Sequence, residues 1–140
     1  MPPDTVVKVV APGLGEPPGA SWTNCLRIGD EISVSGITAR GSDGKAEGGD
    51  SMEAQTRAVF AKLASLLAAA GGGLQNVYKL VIYVTDMSRK DEVNAVRKAV
   101  FRGIYPCSTL VEVSAFAFPG LLVEIDAFAN ARIDLFAAGA

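Results

Sequence analysis

Four polar side chains on two otherwise apolar segments near the end of the chain are the residues best suited to do chemistry. Ser108 and Glu112 lie within residues 107–114, and Glu124 and Asp126 lie within residues 121–129. In a β-strand, residues two apart face the same side about 7 Å from each other, so each pair is expected to share a face. A carboxylate that is desolvated, or that lies beside another, has a raised pKa and can exchange protons with water. The pattern predicts three acids near one cleft.

Each acid also has an ordinary interpretation, in which it lines a solvated face or pairs with Arg or Lys. This interpretation has more weight for Asp126 and Glu112 than for Glu124. Nucleophilic catalysis is disfavoured because the chain has no histidine to act as a base. Cys107 would need a nearby cation or helix amino terminus to become a nucleophile, and Ser108 is better suited to hydrogen-bond a ligand.

The composition limits the class of protein. The 140 residues are 49% hydrophobic, which is enough for one domain over residues 1–140 with a substantial core. The net charge is −2 and the basic residues are scattered, so nucleic acid is not expected as a partner. No segment has the length or apolarity of a membrane span, and two isolated cysteines fit a reducing compartment, so we expect a cytoplasmic protein. We expect no metal, since the chain lacks histidine, the commonest metal ligand, and no other cofactor, since the glycines near the amino terminus lack the context of a phosphate loop.

The hydrophobic patterns predict the order β-β-β-α-β-α-β-β. The predicted strands are residues 6–10, 25–28, 31–37, 76–85, 107–114 and 121–129. The first helix should begin with a capping box formed by Asp50 and Glu53 and end at the three glycines 71–73, and the second should be capped by Ser88.

The fourth strand is apolar on both faces. Val77, Val81 and Tyr83 are expected on one face and Leu80, Ile82 and Val84 on the other. One layer of helices covers only one face of a sheet, so the second apolar face is expected to meet another subunit.

Several segments together resemble the reactive intermediate deaminase (Rid, YjgF-like) family. They are residues 27–30 with 34–36, 55–56, 84–86, 93–95, and the pair 105–113 and 122–127. The resemblance covers nearly the whole chain. It implies a compact α+β fold of the Rid or chorismate-mutase-like type, a mixed sheet with two helices on one face, and a homotrimer with clefts between subunits. It also implies hydrolysis of a reactive enamine or imine to a carbonyl compound and ammonia.

Taken position by position, the resemblance implies that Trp22 lies at the cleft mouth, that Asn94 and Cys107 line the site, and that Glu124 positions water. Ser108 stands where the family has an arginine that binds the substrate carboxylate. Losing a bidentate charged pair could cost about a hundredfold in binding. We therefore expect a small-molecule metabolite other than a small 2-imino acid, unless another arginine takes that place.

Two alternatives to the deaminase stay open. One is a trimer that binds a metabolite for regulation without catalysis, and the weaker one is an endoribonuclease. For a replacement cation, the sequence suggests Arg102 or Arg132 without deciding between them.

Overall fold

The computed structural model describes residues 2–139, whose alternating and helical hydrophobic patterns form a six-stranded mixed sheet with two helices on one face. The predicted α+β class and the order of elements are confirmed. The strands are β1 (Val6–Lys8), β2 (Cys25–Ile28), β3 (Glu31–Thr38), β4 (Val77–Val84), β5 (Cys107–Glu112) and β6 (Val123–Asn130), and the helices are α1 (Met52–Ala69) and α2 (Lys90–Val100). Short 3-10 turns, Leu74–Asn76 and Met87–Arg89, precede β4 and α2.

The strands lie in the order β1-β2-β3-β6-β4-β5. Every neighbouring pair is antiparallel except β4 and β5, which run parallel because α2 connects them as a crossover. β6 is in the middle of the sheet, and β4 separates it from β5. The two segments that contain Ser108 and Glu124 are therefore not adjacent strands.

The two helices cover one face of this sheet, and the other face, which we call the open face, has no helix against it among the described residues. On β6, Val123, Ile125 and Ala127 are buried in the core, so the alternating Glu124 and Asp126 are on the open face.

On β5, Ser108 pairs with Leu80 and Glu112 pairs with Val84. Leu80 and Val84 are both buried under the helices, so Ser108 and Glu112 face the helix side of the sheet. Within one chain, Glu112 is therefore on the opposite side of the sheet from Glu124 and Asp126, so a cleft near all three acids would need a second copy of the chain.

Both helix caps differ from the predictions. A turn in which the Ser51 amide donates to the Gly48 carbonyl makes Ser51 the last residue before α1, and its hydroxyl accepts from the Ala54 amide at 3.0 Å. Asp50 is therefore one residue too early to be the cap. Ahead of α2, the Asp86 carboxylate accepts from both the amide and the hydroxyl of Ser88, so Asp86 caps the turn and Ser88 is its donor.

β4 has apolar residues on both faces, as predicted, but Val77 is on the other face from the one expected. A register shift between Val77 and Lys79 places Val77 in the core with Leu80 and Ile82. Val81 and Tyr83 remain partly exposed on the open face, and their coverage by another subunit stays a prediction. Neither helix of the described chain has both the length and the apolar character needed to cross a membrane.

Candidate functional site

A small cavity on the helix side, which we call the Arg97 cavity, joins α2 to β5. Asn94 and Arg97 are three residues apart on α2 and so lie on one face of the helix. Arg97 Nη1 donates to the Ser108 hydroxyl at 2.8 Å, and Arg97 Nη2 donates to Asn94 Oδ1 at 3.4 Å. The cavity has a volume of about 280 Å³ and is lined by Leu80, Asn94, Arg97, Lys98, Phe101, Tyr105, Pro106 and Ser108.

Arg97 is a partly buried cation with neutral partners. Burial lowers the pKa of its guanidinium, which nevertheless stays protonated because arginine is not deprotonated in proteins. Across residues 2–139, the ion pairs involve other residues, and none joins a carboxylate to Arg97. The cavity therefore presents an uncompensated positive charge.

Sequence reasoning missed Arg97. The two arginines it considered are engaged elsewhere: Arg102 lies over the Phe136 ring, 4.7 Å from its centroid, and Arg132 is 3.9 Å from Asp30. The spacing of three residues between Asn94 and Arg97 on a helix was the signal that could have found it. The expectation of a ligand other than a small 2-imino acid stays a prediction. Arg97 nevertheless places a guanidinium beside Ser108, where the resemblance implies an arginine.

Glu124 lies on the open face, between Thr38 of β3 and Tyr83 of β4. Its partly buried carboxylate makes no hydrogen bond and no ion pair with the described part of the chain. Burial is the main cause that raises the pKa of Glu124, and the negative charge of Asp126 adds to it. A carboxylate with a raised pKa and free oxygens is suited to accept a proton from water and return it.

Asp126, in contrast, is held by the fold. It accepts hydrogen bonds from the Tyr83 hydroxyl at 2.9 Å and from the Gly36 amide at 2.8 Å. Gly36 has φ of 69° in the irregular part of β3, where glycine is the residue that adopts this conformation readily. Glu112 is also structural, since it accepts from the Met87 amide at 2.8 Å. Both acids therefore have structural partners, which are backbone amides and a tyrosine hydroxyl and not the arginine or lysine of the ordinary interpretation.

A second cavity, of about 430 Å³, lies beside Thr38, the cross-strand neighbour of Glu124. Trp22 lines it, is 55% exposed, and donates from Nε1 to Asn24. Arg40 stacks on Phe118 at the same cavity, 3.5 Å from the ring centroid.

Within one chain, only two of the five predicted site residues lie together. Asn94 and Ser108 lie together in the Arg97 cavity, whereas Glu124 lies on the open face and Trp22 is at the second cavity. Cys107 is exposed and, being next to Ser108 on β5, faces away from the Arg97 cavity. No group of three His, Cys, Asp or Glu within residues 2–139 is arranged to hold a metal ion.

Comparisons with known proteins agree on one family. The family model described as Endoribonuclease L-PSP matches residues 15–131. A RutC family protein of Pyrococcus horikoshii is 30% identical over 113 residues, which are 80% of this chain and 88% of that protein. A protein of unknown function from Pseudomonas aeruginosa is 42% identical with a TM-score of 0.88, covering 96% of this chain and 98% of that one. A Rid-family protein from Yersinia pestis is 26% identical with a TM-score of 0.81, covering 90% and 99%.

Proposed function

The chain belongs to the Rid (YjgF-like) family, and from this premise we propose that it hydrolyses a reactive enamine or imine to a carbonyl compound and ammonia. The observation that supports this activity most strongly is the Glu124 carboxylate, which is partly buried, has a raised pKa and has no protein partner among the described residues. The residues of the chain leave this acid available for water.

The reaction requires one acid–base residue and one water molecule. An enamine first takes a proton on carbon and releases one from nitrogen to become an imine. Water then adds to the imine carbon as Glu124 accepts a proton from it, and Glu124 returns that proton to the nitrogen to give a carbinolamine. The hydroxyl proton of the carbinolamine then passes to the nitrogen as the carbon–nitrogen bond breaks, so that ammonia leaves and the oxygen forms the carbonyl. A raised pKa suits both steps, since a carboxyl group works best as acid and base when its pKa is near the working pH.

We further propose that this chemistry takes place in clefts between the subunits of a homotrimer. Glu124 is on the open face of the sheet, and Asn94 and Ser108 are on its helix side. The sheet lies between them, so a site that uses both groups needs two copies of the chain. The partly exposed Val81 and Tyr83 of β4 provide an apolar surface for such contact.

The test is ammonia release from a panel of enamines generated in solution. The Glu124→Gln variant should be slower by about a hundredfold or more, the usual contribution of a general acid–base residue. Glu112→Gln is the matched control, because the amide oxygen can still accept from the Met87 amide and the residue faces the other side of the sheet. This control should keep the wild-type rate.

Equal rates for wild type and Glu124→Gln across the panel would overturn the deaminase and favour a trimer that binds a metabolite without catalysis. A chain that sediments as a monomer would remove the proposed cleft. Measuring ammonia also separates this proposal from the ribonuclease activity named in the family description.

A further inference from the structure

We propose that the Arg97 cavity binds the carboxylate of a small 2-oxo or 2-imino acid, with Arg97 as the charged residue and Ser108 and Asn94 as the groups that position it. The inference rests on the proposed function in so far as this acid is the substrate or product of the deaminase. It also assigns the carboxylate-binding role to a residue of α2, whereas the resemblance places that role on β5.

The contacts of Arg97 differ from those of Arg27, a partly buried arginine with a structural role. Arg27 donates to the carbonyl oxygens of Gly29 and Ala70, both at 2.8 Å, and pairs with Asp30. Arg97 has only one hydroxyl and one distant amide oxygen as partners, so three of its five N–H donors have no acceptor within the described chain. Burying a charge is costly unless it is paired, and Arg97 has the partners of a ligand-binding arginine.

Ser108 and Asn94 orient the guanidinium without neutralising it. The Ser108 oxygen accepts the hydrogen bond from Arg97, which leaves the hydroxyl hydrogen free to donate. A carboxylate in the cavity can thus receive donors from both Arg97 and Ser108. The planar fork of a guanidinium matches a carboxylate, and one arginine with one hydroxyl suits this group better than the three oxygens of a phosphate.

The rest of the cavity limits what is attached to the carboxylate. Leu80, Phe101 and Pro106 form an apolar wall, and the volume of about 280 Å³ is small for a ligand site. Lys98 adds a second positive charge, and no acidic side chain is among the lining residues that the structure describes. The cavity therefore fits an anion with a short aliphatic chain.

The experiment compares two ligands of nearly equal size, 2-oxobutanoate and 2-oxobutanamide, by isothermal titration calorimetry. Wild type should bind the acid at least tenfold more tightly than the amide. Arg97→Gln should weaken binding of the acid by about tenfold to a hundredfold, as expected for a lost charged hydrogen-bonding pair. Its affinity for the amide should be unchanged. The affinity of Arg97→Lys for the acid should lie between those of wild type and Arg97→Gln, because an ammonium keeps the positive charge and loses the planar fork of the guanidinium.

Arg132→Gln is the matched control. It removes an arginine that lies outside the cavity and should leave both affinities within about twofold, the scale expected for an exposed charge. Thermal unfolding of each variant checks that the fold is intact, and Arg97→Lys decides the question if Arg97→Gln does not fold. Equal binding of the acid and the amide, acid binding unaffected by Arg97→Gln, or phosphate binding more tightly than 2-oxobutanoate would each overturn the proposal.

The binding measurement does not depend on turnover, so the two proposals can fail separately. If 2-oxobutanoate binding requires Arg97 but no enamine yields ammonia, the deaminase is wrong and the carboxylate site stands. If ammonia is released and Arg97→Gln leaves KM unchanged for a 2-imino acid, the carboxylate site is wrong and the deaminase stands.

Discussion

The open face around Glu124 and the Arg97 cavity each contain a partly buried charge without an opposite partner among the described residues, and the two charges have opposite sign. Glu124 is on β6, and Arg97 is under the sheet on α2. They lie on different sides of the same sheet, so they cannot neutralise each other within a chain. This contrast supports the proposal that a complete polar site takes one charge from each of two copies of the chain.

Neither charge has an opposite charge as partner in the described fold, although the buried polar groups of that fold are satisfied. Gln55, which is fully buried, makes three hydrogen bonds, to the carbonyls of Gly49 and Gly120 and from the amide of Leu122. Among residues 2–139, every buried side-chain nitrogen or oxygen atom has a partner. A structure that satisfies its buried polar groups so fully has no structural use for an unpaired Glu124 and Arg97, which supports a role in binding and catalysis.

The largest effect is expected from mixing two inactive variants. If a cleft joins Glu124 of one copy to the Arg97 cavity of the next, Glu124→Gln and Arg97→Gln should each lose ammonia release at low substrate concentration. After joint refolding at equal amounts, about three quarters of random trimers contain both chains and have one intact cleft in three. About a quarter of wild-type activity should therefore return, given head-to-tail contacts in a closed ring. The measurement is the initial rate of ammonia release.

A matched mixture controls for refolding. Glu124→Gln mixed with the double variant Glu124→Gln/Arg97→Gln has no copy with an intact Glu124 and should stay inactive. If the first mixture is no more active than the sum of its parts, the two regions do not share a site.

A smaller effect is expected from moving the guanidinium from α2 to β5. Arg97→Ser should weaken 2-oxobutanoate binding by about tenfold or more, and adding Ser108→Arg should recover most of that loss, since neighbouring residues couple strongly. Ser108→Arg alone should bind 2-oxobutanoate at least as tightly as wild type, because it brings a second cation beside Arg97, whose Nη1 now lies 2.8 Å from the Ser108 oxygen. Calorimetry on the four proteins measures the coupling.

The control for this exchange uses the neighbouring residue. Arg97→Ser combined with Cys107→Arg puts the new arginine on the other side of β5 and should give no rescue. Rescue by Cys107→Arg would mean that general positive charge, and not the fork in the cavity, binds the acid.

Much of the fold could be predicted from the sequence because the hydrophobic patterns are local. The periodic Val59, Leu63 and Leu67 are all buried in α1, and the alternation along β6 separates core residues from Glu124 without exception. The cap positions were wrong by one or two residues because a glycine turn and an aspartate, which no periodicity encodes, set where the helices begin.

Asn94, Ser108 and Glu124 remain predicted site residues. Their distribution over the two faces of the sheet could not be predicted, because the position of β6 between β3 and β4 is a long-range property of the sheet. If β6 occupied the next position in the strand order, different polar residues would lie beside one another. The helical spacing places Arg97 on the same face of α2 as Asn94, but the contact of that face with Ser108 on β5 is a tertiary contact that no local pattern encodes.

The smallest effect concerns the pH dependence on the Glu124 side. The carboxylate form of Glu124 accepts the proton, so the rate should fall as pH decreases through its pKa, which is raised above the ordinary value of 4.5 mainly by burial. Asp126→Asn removes the negative charge that contributes to this rise, so the acidic limb of the kcat profile should move to lower pH, with the plateau rate changed by less than about threefold. Tyr83→Phe removes the hydroxyl that donates to Asp126 and keeps the negative charge of Asp126. The acidic limb of this variant should therefore not move to lower pH. A limb that stays in place in Asp126→Asn, or that moves equally in both variants, would show that Glu124 is not the group whose titration controls the reaction.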